Sequence, residues 1–329
     1  MSASQQFIRG MHAVSLMATS QRAKQPILVT GSNRSGSTWV GSMLGLSPAL
    51  GYINEPLKLK YRAGMCAFEF ERWFTYISAE NEALYLDAIR RMMAFRFNLR
   101  ADIQQPQRPH SLAYTFKTFG LWQLYRLFGV QPLLKDPVAV FSAEWFEATF
   151  DTKVIVMIRH PAAFVSSLKR YNHTFPFAHF AEQPLLMDRF LSPFAAEIHA
   201  QAHQPSDIID QAILLWNCIY HTVIGYKQRH PDWFFLRHED VSAEPLHYFQ
   251  KLYQFCSVEL TPTIESRIQQ FSSPQNPTEI PLVKGHHHIH LDSKANIQNW
   301  KKRLTAEEIR RIYMGTQRVA SVFYTDDEW

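Results

Sequence analysis

Short, continuous runs of apolar residues recur along the chain, and each is followed by residues with helical spacing. The clearest run is Val154–Ile158, and others begin at Ile27, Leu133 and Trp233. Runs of this length without polar alternation are typical of strands buried on both faces, with the helical stretches as crossover connections. The pattern therefore predicts an α/β fold, a doubly wound three-layer α/β/α sandwich around a central parallel sheet.

The stretches between the runs predict the helices. Apolar residues recur at helical spacing in Phe68–Phe97, which predicts one or two amphipathic helices, and in Asp207–Arg229, which predicts one long helix. A capping box at Thr305–Glu308 predicts the start of a closing helix. The Phe-, His- and Pro-rich stretch Tyr171–Gln204 lacks a single period, so we expect short helices and loops there.

Length and composition limit the organisation of the chain. It has 329 residues, of which 46% are hydrophobic, and this is enough for a large buried core. We find neither a composition break nor an internal repeat. We therefore expect a poorly ordered leader over residues 1–25 and one domain over residues 26–329.

Charge and cysteine usage indicate the class of partner and the compartment. The net charge is +5, but Lys and Arg do not form runs, which favours a basic pocket for an anionic ligand over a nucleic-acid surface. Cys66, Cys218 and Cys256 are far apart, which favours reduced thiols. The N-terminal region has no apolar stretch of about 18 residues. We expect a cytoplasmic protein without an integral membrane segment.

The stretch Ile27–Gly45 carries the strongest functional signal. It reads as a strand, a polar loop between Gly31 and Gly36, and a helix, which is the order of a phosphate-binding loop. Ser37 stands where such loops of nucleotide triphosphatases have a lysine, and Thr38 stands at the following hydroxyl position. Backbone N–H groups still favour a bound anion there, so the fold is predicted to be P-loop-like.

The loop sequence RSGSTW resembles the 5′-phosphosulfate loop of sulfotransferases that use 3′-phosphoadenosine 5′-phosphosulfate (PAPS). In that family a Lys or Arg precedes Ser-Gly-[Ser/Thr]-[Ser/Thr]-Trp. The resemblance implies a PAPS donor and no metal. It also implies that Arg34 and the loop hold the 5′-phosphosulfate, and that Trp39 packs on the adenine. The residues carrying the match are Arg34, Ser35, Gly36, Ser37, Thr38 and Trp39.

A second motif follows the Val154–Ile158 strand. Arg159 ends that strand and Ser167 lies eight residues later in the next helix, so both can face the carboxyl edge of the sheet. A guanidinium and a hydroxyl can bind a phosphate together without a metal. Arg159, Pro161 and Ser167 resemble the 3′-phosphate site of the same sulfotransferases, which implies that Arg159 and Ser167 bind the 3′-phosphate of the donor.

Two later segments extend the resemblance. Arg237–Val241 reads RHEDV and resembles the family motif [RK]-[YH]-E-D-[LV], whose aromatic position lies near the adenine; His238 stands there. Asn299–Leu304 resembles the family's C-terminal W-[RK]-x-x-L segment, which can close over the nucleotide and implies a donor contact for Lys301. A solvated charge run remains the alternative interpretation of the basic residues beside Lys301.

Sulfuryl transfer needs a base that takes the proton of the acceptor hydroxyl. The His of a K-x-H motif is absent, but Glu55 in Asn54–Leu57 (NEPL) resembles the Glu that follows the second strand in carbohydrate and tyrosine sulfotransferases. Lys135 resembles the lysine that heparan-type enzymes place between acceptor and sulfonate. Asp136 departs from that pattern and is expected to cap the following helix. The predicted catalytic residues are therefore Glu55, Lys135 and Arg34.

The sequence leaves two other classes open. A magnesium-dependent P-loop kinase or NTPase is disfavoured by Ser37 and by Arg159 at a strand end, and a non-catalytic nucleotide-binding protein would make Glu55 and Lys135 dispensable. The expected acceptor is a small molecule or glycan with a hydroxyl or an amine. The histidines at 286, 287, 288 and 290 could suggest a metal, but adjacent histidines rarely form a closed tetrahedral site.

Overall fold

A computed structural model describes residues 24–59, 62–105, 111–279 and 290–329. Its centre is a five-stranded parallel sheet in the order β2-β3-β1-β4-β5. The strands are β1 (Ile27–Gly31), β2 (Leu50–Asn54), β3 (Gln131–Lys135), β4 (Lys153–Ile158) and β5 (Phe234–Arg237).

Helices connect the strands and surround the sheet. In the first half of the chain they are α1 (Ser37–Leu44), α2 (Leu86–Met93), α3 (Leu99–Gln104), α4 (Leu112–Leu127), α5 (Ala143–Phe150), α6 (Pro161–Arg170), α7 (Ala178–Ala181) and α8 (Pro184–Leu186). In the second half they are α9 (Ala195–His203), α10 (Ile208–Arg229), α11 (His238–Ala243), α12 (Pro245–Phe255), α13 (Pro262–Ser272), α14 (Ser293–Asn296), α15 (Trp300–Arg303) and α16 (Ala306–Ala320). Short 3₁₀ segments lie at Glu82–Leu84, Pro137–Ser142, Ser192–Phe194 and Asp326–Glu328, and a π segment lies at Met187–Leu191.

The sheet is buried on both faces, as the continuous apolar runs predict. Along β1, Leu28 packs into the core formed with α5, α6, α10 and α16, whereas Ile27 and Val29 pack into the core formed with α1, α12 and α13. Alternate strand residues face opposite sides of a sheet, so each strand supplies both cores. The doubly wound three-layer α/β/α architecture is confirmed.

Helix α10 is long enough and apolar enough to cross a membrane, judged by length and composition alone. No other helix among the described residues meets both conditions. Of its most apolar 18-residue window, 67% is buried inside the protein. It packs against α6 and α16, and its N-cap Asp207 accepts hydrogen bonds from the N–H groups of Ile209 and Asp210. This is the environment of a core helix.

The helices predicted over Phe68–Phe97 form only in part. The structure has the short 3₁₀ segment and α2 there, and residues 68–81 are irregular. Side chains from other elements bind backbone N–H groups of this segment: His179 Nδ1 accepts from Trp73, and Ser142 Oγ accepts from Ile77. Since these groups are satisfied by tertiary contacts, the segment does not need helical hydrogen bonds.

Other boundaries shift or agree. Asp136 caps the segment after β3 through Val138 N–H at 3.0 Å, but this segment begins as a 3₁₀ turn and becomes α-helical only at α5. The capping box at Thr305 and Glu308 is confirmed at the start of α16. Residues 1–23 of the predicted leader and the histidines at 286, 287 and 288 lie outside the described residues.

Candidate active site at the carboxyl edge of the sheet

Each of the five strands carries a candidate residue at or just beyond its carboxyl end. The five groups are the loop after β1, Glu55 after β2, Lys135 at the end of β3, Arg159 after β4 and His238 after β5. Because β3 and β4 lie on opposite sides of β1, Glu55 and Lys135 lie on one side of the loop and Arg159 and His238 on the other. The reversal of strand order at β1 is the position where open α/β sheets bind ligands.

The loop after β1 has a backbone suited to anion binding. Gly36 caps α1 in the left-handed conformation with φ 89°, and Arg34 also has a positive φ of 66°. A Cβ atom on Gly36 would lie 2.3 Å from His238 Nδ1, so only glycine fits between the loop and that ring. Successive N–H groups in such a loop form a concave anion site.

Hydroxyl groups hold the loop in place from inside. Ser35 Oγ donates to the carbonyl oxygen of Ser32 at 2.7 Å, and Ser32 Oγ lies 2.8 Å from Tyr220 Oη. Tyr220 Oη also accepts from the N–H of Arg159 at 3.0 Å, so one phenol links the ends of β1 and β4. Ser37 and Thr38 form the first turn of α1, whose N–H groups have no intrahelical acceptor.

Arg34 and Ser167 meet in the structure. Arg34 Nε donates to Ser167 Oγ at 2.9 Å, and the guanidinium carbon lies 4.5 Å from the centre of the Tyr171 ring. Two motifs separated by 133 residues are therefore joined. No sequence motif predicts the contact of Tyr171 with Arg34, because this contact depends on how α6 ends.

The Arg159 side chain is 11% exposed and lies beside one carboxylate. Its Nε lies 3.6 Å from Glu239 Oε1, an ion pair that lacks hydrogen-bond geometry, and this Nε has no hydrogen-bond partner among the described residues. The carboxylate of Glu239 accepts from the N–H of His160 at 3.1 Å and from Tyr324 Oη at 2.9 Å. Burial lowers the pKa of Arg159, and Arg34 lowers it further by charge repulsion. A bound anion would relieve both effects.

An aromatic wall lies on the same side of the loop. Trp39 packs edge-on against His238, with ring centres 6.2 Å apart, and against Phe249 at 5.5 Å. Burial, and then the charge of Arg159, keep the pKa of His238 well below its usual range, so the imidazole is neutral. His238 Nε2 lies 3.2 Å from Ser242 Oγ, whereas its Nδ1 and Trp39 Nε1 are buried without hydrogen-bond partners in the described part of the chain.

Glu55 and Lys135 form an ion pair on the other side. Lys135 Nζ donates to Glu55 Oε1 at 2.5 Å, and the N–H of Glu55 donates to the carbonyl oxygen of Lys135 at 2.7 Å. Lys135 is buried, whereas the Glu55 side chain is 33% exposed. The lysine stem crosses α1 at Gly41, where a Cβ atom would lie 2.8 Å from Lys135 Cγ. The ammonium group is thus held between α1 and the carboxylate.

Asp136 fixes the backbone that carries Glu55. Its two carboxylate oxygens accept from the N–H groups of Leu57 at 2.6 Å and Val138 at 3.0 Å. Burial, and then the charge of Glu55, raise the pKa of Asp136 to about 7 despite these donors. Sequence reasoning identified the cap but not the contact with Leu57.

The remaining candidates are placed as follows. Lys301 is exposed, and its Nζ donates to the carbonyl oxygen of Trp329 at 2.9 Å. His173 and His179, in the segment after α6, are the alternative candidates for the base, and the pKa of each is lowered, chiefly by desolvation. His179 Nδ1 is already engaged by Trp73 N–H at 3.0 Å.

One group of metal-ligand type occurs within the described ranges, at Glu147, His230 and Asp232. His230 Nδ1 lies 3.0 Å from Glu147 Oε2, and its Nε2 lies 3.0 Å from Glu144 Oε1, so carboxylates already occupy both ring nitrogens. Of the four clustered histidines, only His290 is described, and its ring stacks on Phe271. The expectation of no metal stays a prediction.

Comparison with known proteins identifies the family to which the chain belongs. A model described as "Sulfotransferase family" matches residues 26–262, and the chain therefore belongs to the sulfotransferase family. It is an enzyme that acts as a sulfotransferase. No curated protein sequence matches it.

Solved structures similar to the chain include three sulfotransferases. The sulfotransferase domain from the curacin biosynthetic pathway is 17% identical, with a TM-score of 0.48 over 90% of this chain and 99% of that chain. The sulfotransferase domain of the Synechococcus PCC 7002 olefin synthase is 15% identical, with a TM-score of 0.49 over 95% and 99%. Mouse sulfotransferase SULT7A1, complexed with PAP, is 10% identical, with a TM-score of 0.44 over 97% and 90%.

Proposed function

We propose that this enzyme transfers a sulfuryl group from PAPS to a hydroxyl-bearing acceptor, with Glu55 as the general base. One observation carries the proposal: the carboxyl edge of the sheet presents a paired carboxylate and lysine on one side of the P-loop and an arginine on the other. A donor whose ribose carries phosphate groups at the 3′ and 5′ positions would lie beside the arginine, and the acceptor would lie beside the carboxylate and lysine.

The residues on the donor side fit a nucleoside bisphosphate. Gly36 turns the loop with a left-handed backbone directly beside His238, and buried nitrogens of Arg159, Trp39 and His238 lack hydrogen-bond partners among the described residues. In the proposal Arg34, Ser37, Thr38 and the loop amides bind the 5′-phosphosulfate. Arg159 and Ser167 bind the 3′-phosphate, and Trp39 with His238 contacts the adenine. Lys301 is proposed to approach the nucleotide from α15.

PAPS supplies an activated sulfuryl group on a phosphate leaving group. The chain's own residues would orient the acceptor and move its proton. The Glu55 side chain is 33% exposed and ion-paired with Lys135, so its carboxylate can be reached by an acceptor hydroxyl and can take its proton. Lys135 donates a hydrogen bond to that carboxylate, and in the proposal its ammonium group stabilises negative charge on the transferred group.

The acceptor class is proposed from the surroundings of Arg34. The segment after α6 brings the Tyr171 ring, which is 40% exposed, against the Arg34 guanidinium. Aromatic rings stack on sugars and on apolar alcohols. We propose a carbohydrate or small-molecule acceptor and a cytoplasmic location, as the sequence predicts.

The test is label transfer from two donors. The enzyme is incubated with acceptor pools and either ³⁵S-labelled PAPS in a metal chelator or γ-³²P-labelled ATP with magnesium. We expect a ³⁵S-labelled product that forms without divalent metal and no ³²P product. Magnesium-dependent ³²P transfer, with no sulfur transfer, would contradict the proposal and support the kinase alternative.

A further inference from the structure

The region that covers the β2 edge of the sheet is strongly basic. Residues 88–143 contain eight Lys and Arg against two acidic residues, Asp102 and Asp136, a net charge of +6 compared with +5 for the whole chain. Both aspartates are buried, and Asp102 is paired with Arg62 at 2.8 Å. Since these are its only acidic residues, this stretch presents no exposed carboxylate to solvent.

Helix α4 adds an apolar face to this region. Leu112, Phe116 and Leu127 are 47%, 53% and 75% exposed, and their spacing places them on one side of the helix together with Gly120. A Cβ atom on Gly120 would meet no atom within 4 Å, so the centre of this side is open. The opposite side packs inward through Thr115 and Trp122, which are 0% and 2% exposed.

Arginines lie at the C-terminal end of this face. Arg96 and Arg126 line a shallow cavity of about 270 Å³ together with aromatic and apolar residues. Both side chains are exposed, and neither has an ion-pair partner among the residues that the structure describes. Arg126 Nη1 donates a hydrogen bond to Gln123 Oε1 at 3.0 Å. Exposed Arg90 and Arg100 extend the charge along α2 and α3.

We propose that this α4 face, formed by Leu112, Phe116, Leu127, Arg96 and Arg126, docks on the surface of an anionic lipid bilayer. Exposed apolar side chains on one side of a helix, with arginines at its margins, bind at the boundary of headgroups and acyl chains. Anionic headgroups match a surface on which Arg90, Arg96, Arg100 and Arg126 are exposed and to which residues 88–143 supply no exposed carboxylate.

The same observations disfavour other occupants. A second copy would bring two surfaces of equal positive charge together without opposing carboxylates. Nucleic acid would match the arginines but would leave the aliphatic side chains of Leu112 and Leu127 without a partner. The proposal does not depend on the identity of the donor, because none of these residues belongs to the candidate active site.

The test is co-sedimentation of the full chain with vesicles of phosphatidylcholine, with and without about 30% phosphatidylserine. We expect binding only to the anionic vesicles, with affinity falling as salt rises. The variant Leu112→Ser/Phe116→Ser/Leu127→Ser should bind at least about tenfold more weakly, because three inserting side chains become polar. Arg96→Gln and Arg126→Gln should each weaken binding about fivefold.

A matched control comes from exposed apolar residues elsewhere. Met314 and Val322 are 67% and 46% exposed, and Met314→Ser/Val322→Ser should bind like the wild type. Equal binding to neutral and anionic vesicles, or wild-type binding by the triple-serine variant, would overturn the proposal. The proposal would also be overturned if light scattering showed that the wild type is a dimer and the triple-serine variant a monomer. If that variant does not fold, the two arginine variants decide on the same criteria.

Discussion

Arg34 Nε donates to Ser167 Oγ across 2.9 Å, so the two halves of the candidate donor site are in contact. Arg34 also lies on the Tyr171 ring, and its backbone has a positive φ. These contacts hold a long side chain in one position. Binding then costs less conformational entropy, because the guanidinium is already oriented.

The first prediction tests this contact. Ser167→Ala should weaken binding of adenosine 3′,5′-bisphosphate about tenfold or more, since a hydrogen bond to a charged group is lost. The measurement is titration calorimetry. Ser166→Ala is the matched control, because Ser166 Oγ is buried without a hydrogen-bond partner in the described structure and its removal should leave affinity unchanged. Equal affinities of the two variants would remove Ser167 from the donor site.

The second prediction concerns the base. Glu55→Gln should lower turnover about a hundredfold or more, because a positioned base is lost, while affinity for the bisphosphate is unchanged. Steady-state transfer and calorimetry separate the two effects. Glu71→Gln, which removes an exposed carboxylate outside the candidate active site, should have normal turnover. Near-normal turnover in Glu55→Gln would move the role of base to His173 or His179.

The third prediction uses the raised pKa of Asp136. The folded protein holds this proton up to about pH 7, whereas the unfolded chain releases it near pH 3.8. The contribution of Asp136 to the free energy of unfolding therefore falls as pH rises between these values and is constant above about pH 7.

Asn at position 136 cannot titrate. The free energy of unfolding of the wild type minus that of Asp136→Asn should therefore fall as pH rises. A shift of this size corresponds to at most about 4 kcal/mol over the whole range. Urea unfolding at about pH 5 and about pH 7.5 measures the difference at two points. If the stability of the wild type relative to Asp136→Asn instead rose with pH, the folded protein would stabilise the charged form of the carboxylate.

The fourth prediction concerns the space at Gly36. Gly36→Ala should destabilise the fold by about 1–3 kcal/mol and impair donor binding, because the left-handed backbone is strained and the new Cβ would meet His238. Gly120→Ala, on an open helix surface, should instead stabilise by about 0.5–1 kcal/mol. Thermal unfolding of the wild type and the two variants measures whether each substitution lowers or raises the stability of the fold. A neutral Gly36→Ala would show that the loop can move away from the His238 ring.

Much of the fold could be predicted because buried parallel strands are continuous apolar runs. The runs at Ile27, Leu133, Val154 and Trp233 correspond to four of the five strands, and the candidate residues after them meet because parallel strands end together. Helix α4 was not predicted, because apolar residues lie around its whole circumference and leave no stripe.

Other features depend on contacts that no local pattern contains. Segment 68–81 has helical spacing but binds side chains of Ser142 and His179, and sequence cannot show this. The position of Tyr171 over Arg34 and the clamp from Asp136 to Leu57 are likewise tertiary. The net charge of +5 also concealed the basic region at residues 88–143, because its charge comes from the scarcity of acids and not from a run of bases.

The most direct test of the donor assignment is calorimetric titration of the wild type and Arg159→Ala with adenosine 3′,5′-bisphosphate in the absence of metal. We expect micromolar binding by the wild type and a loss of about a hundredfold in the variant, because a guanidinium paired with phosphate is removed. Adenosine 5′-monophosphate, which lacks the 3′-phosphate, should bind both proteins equally weakly. Micromolar binding of the bisphosphate that Arg159→Ala leaves unchanged would exclude Arg159 from the donor site and contradict the PAPS assignment.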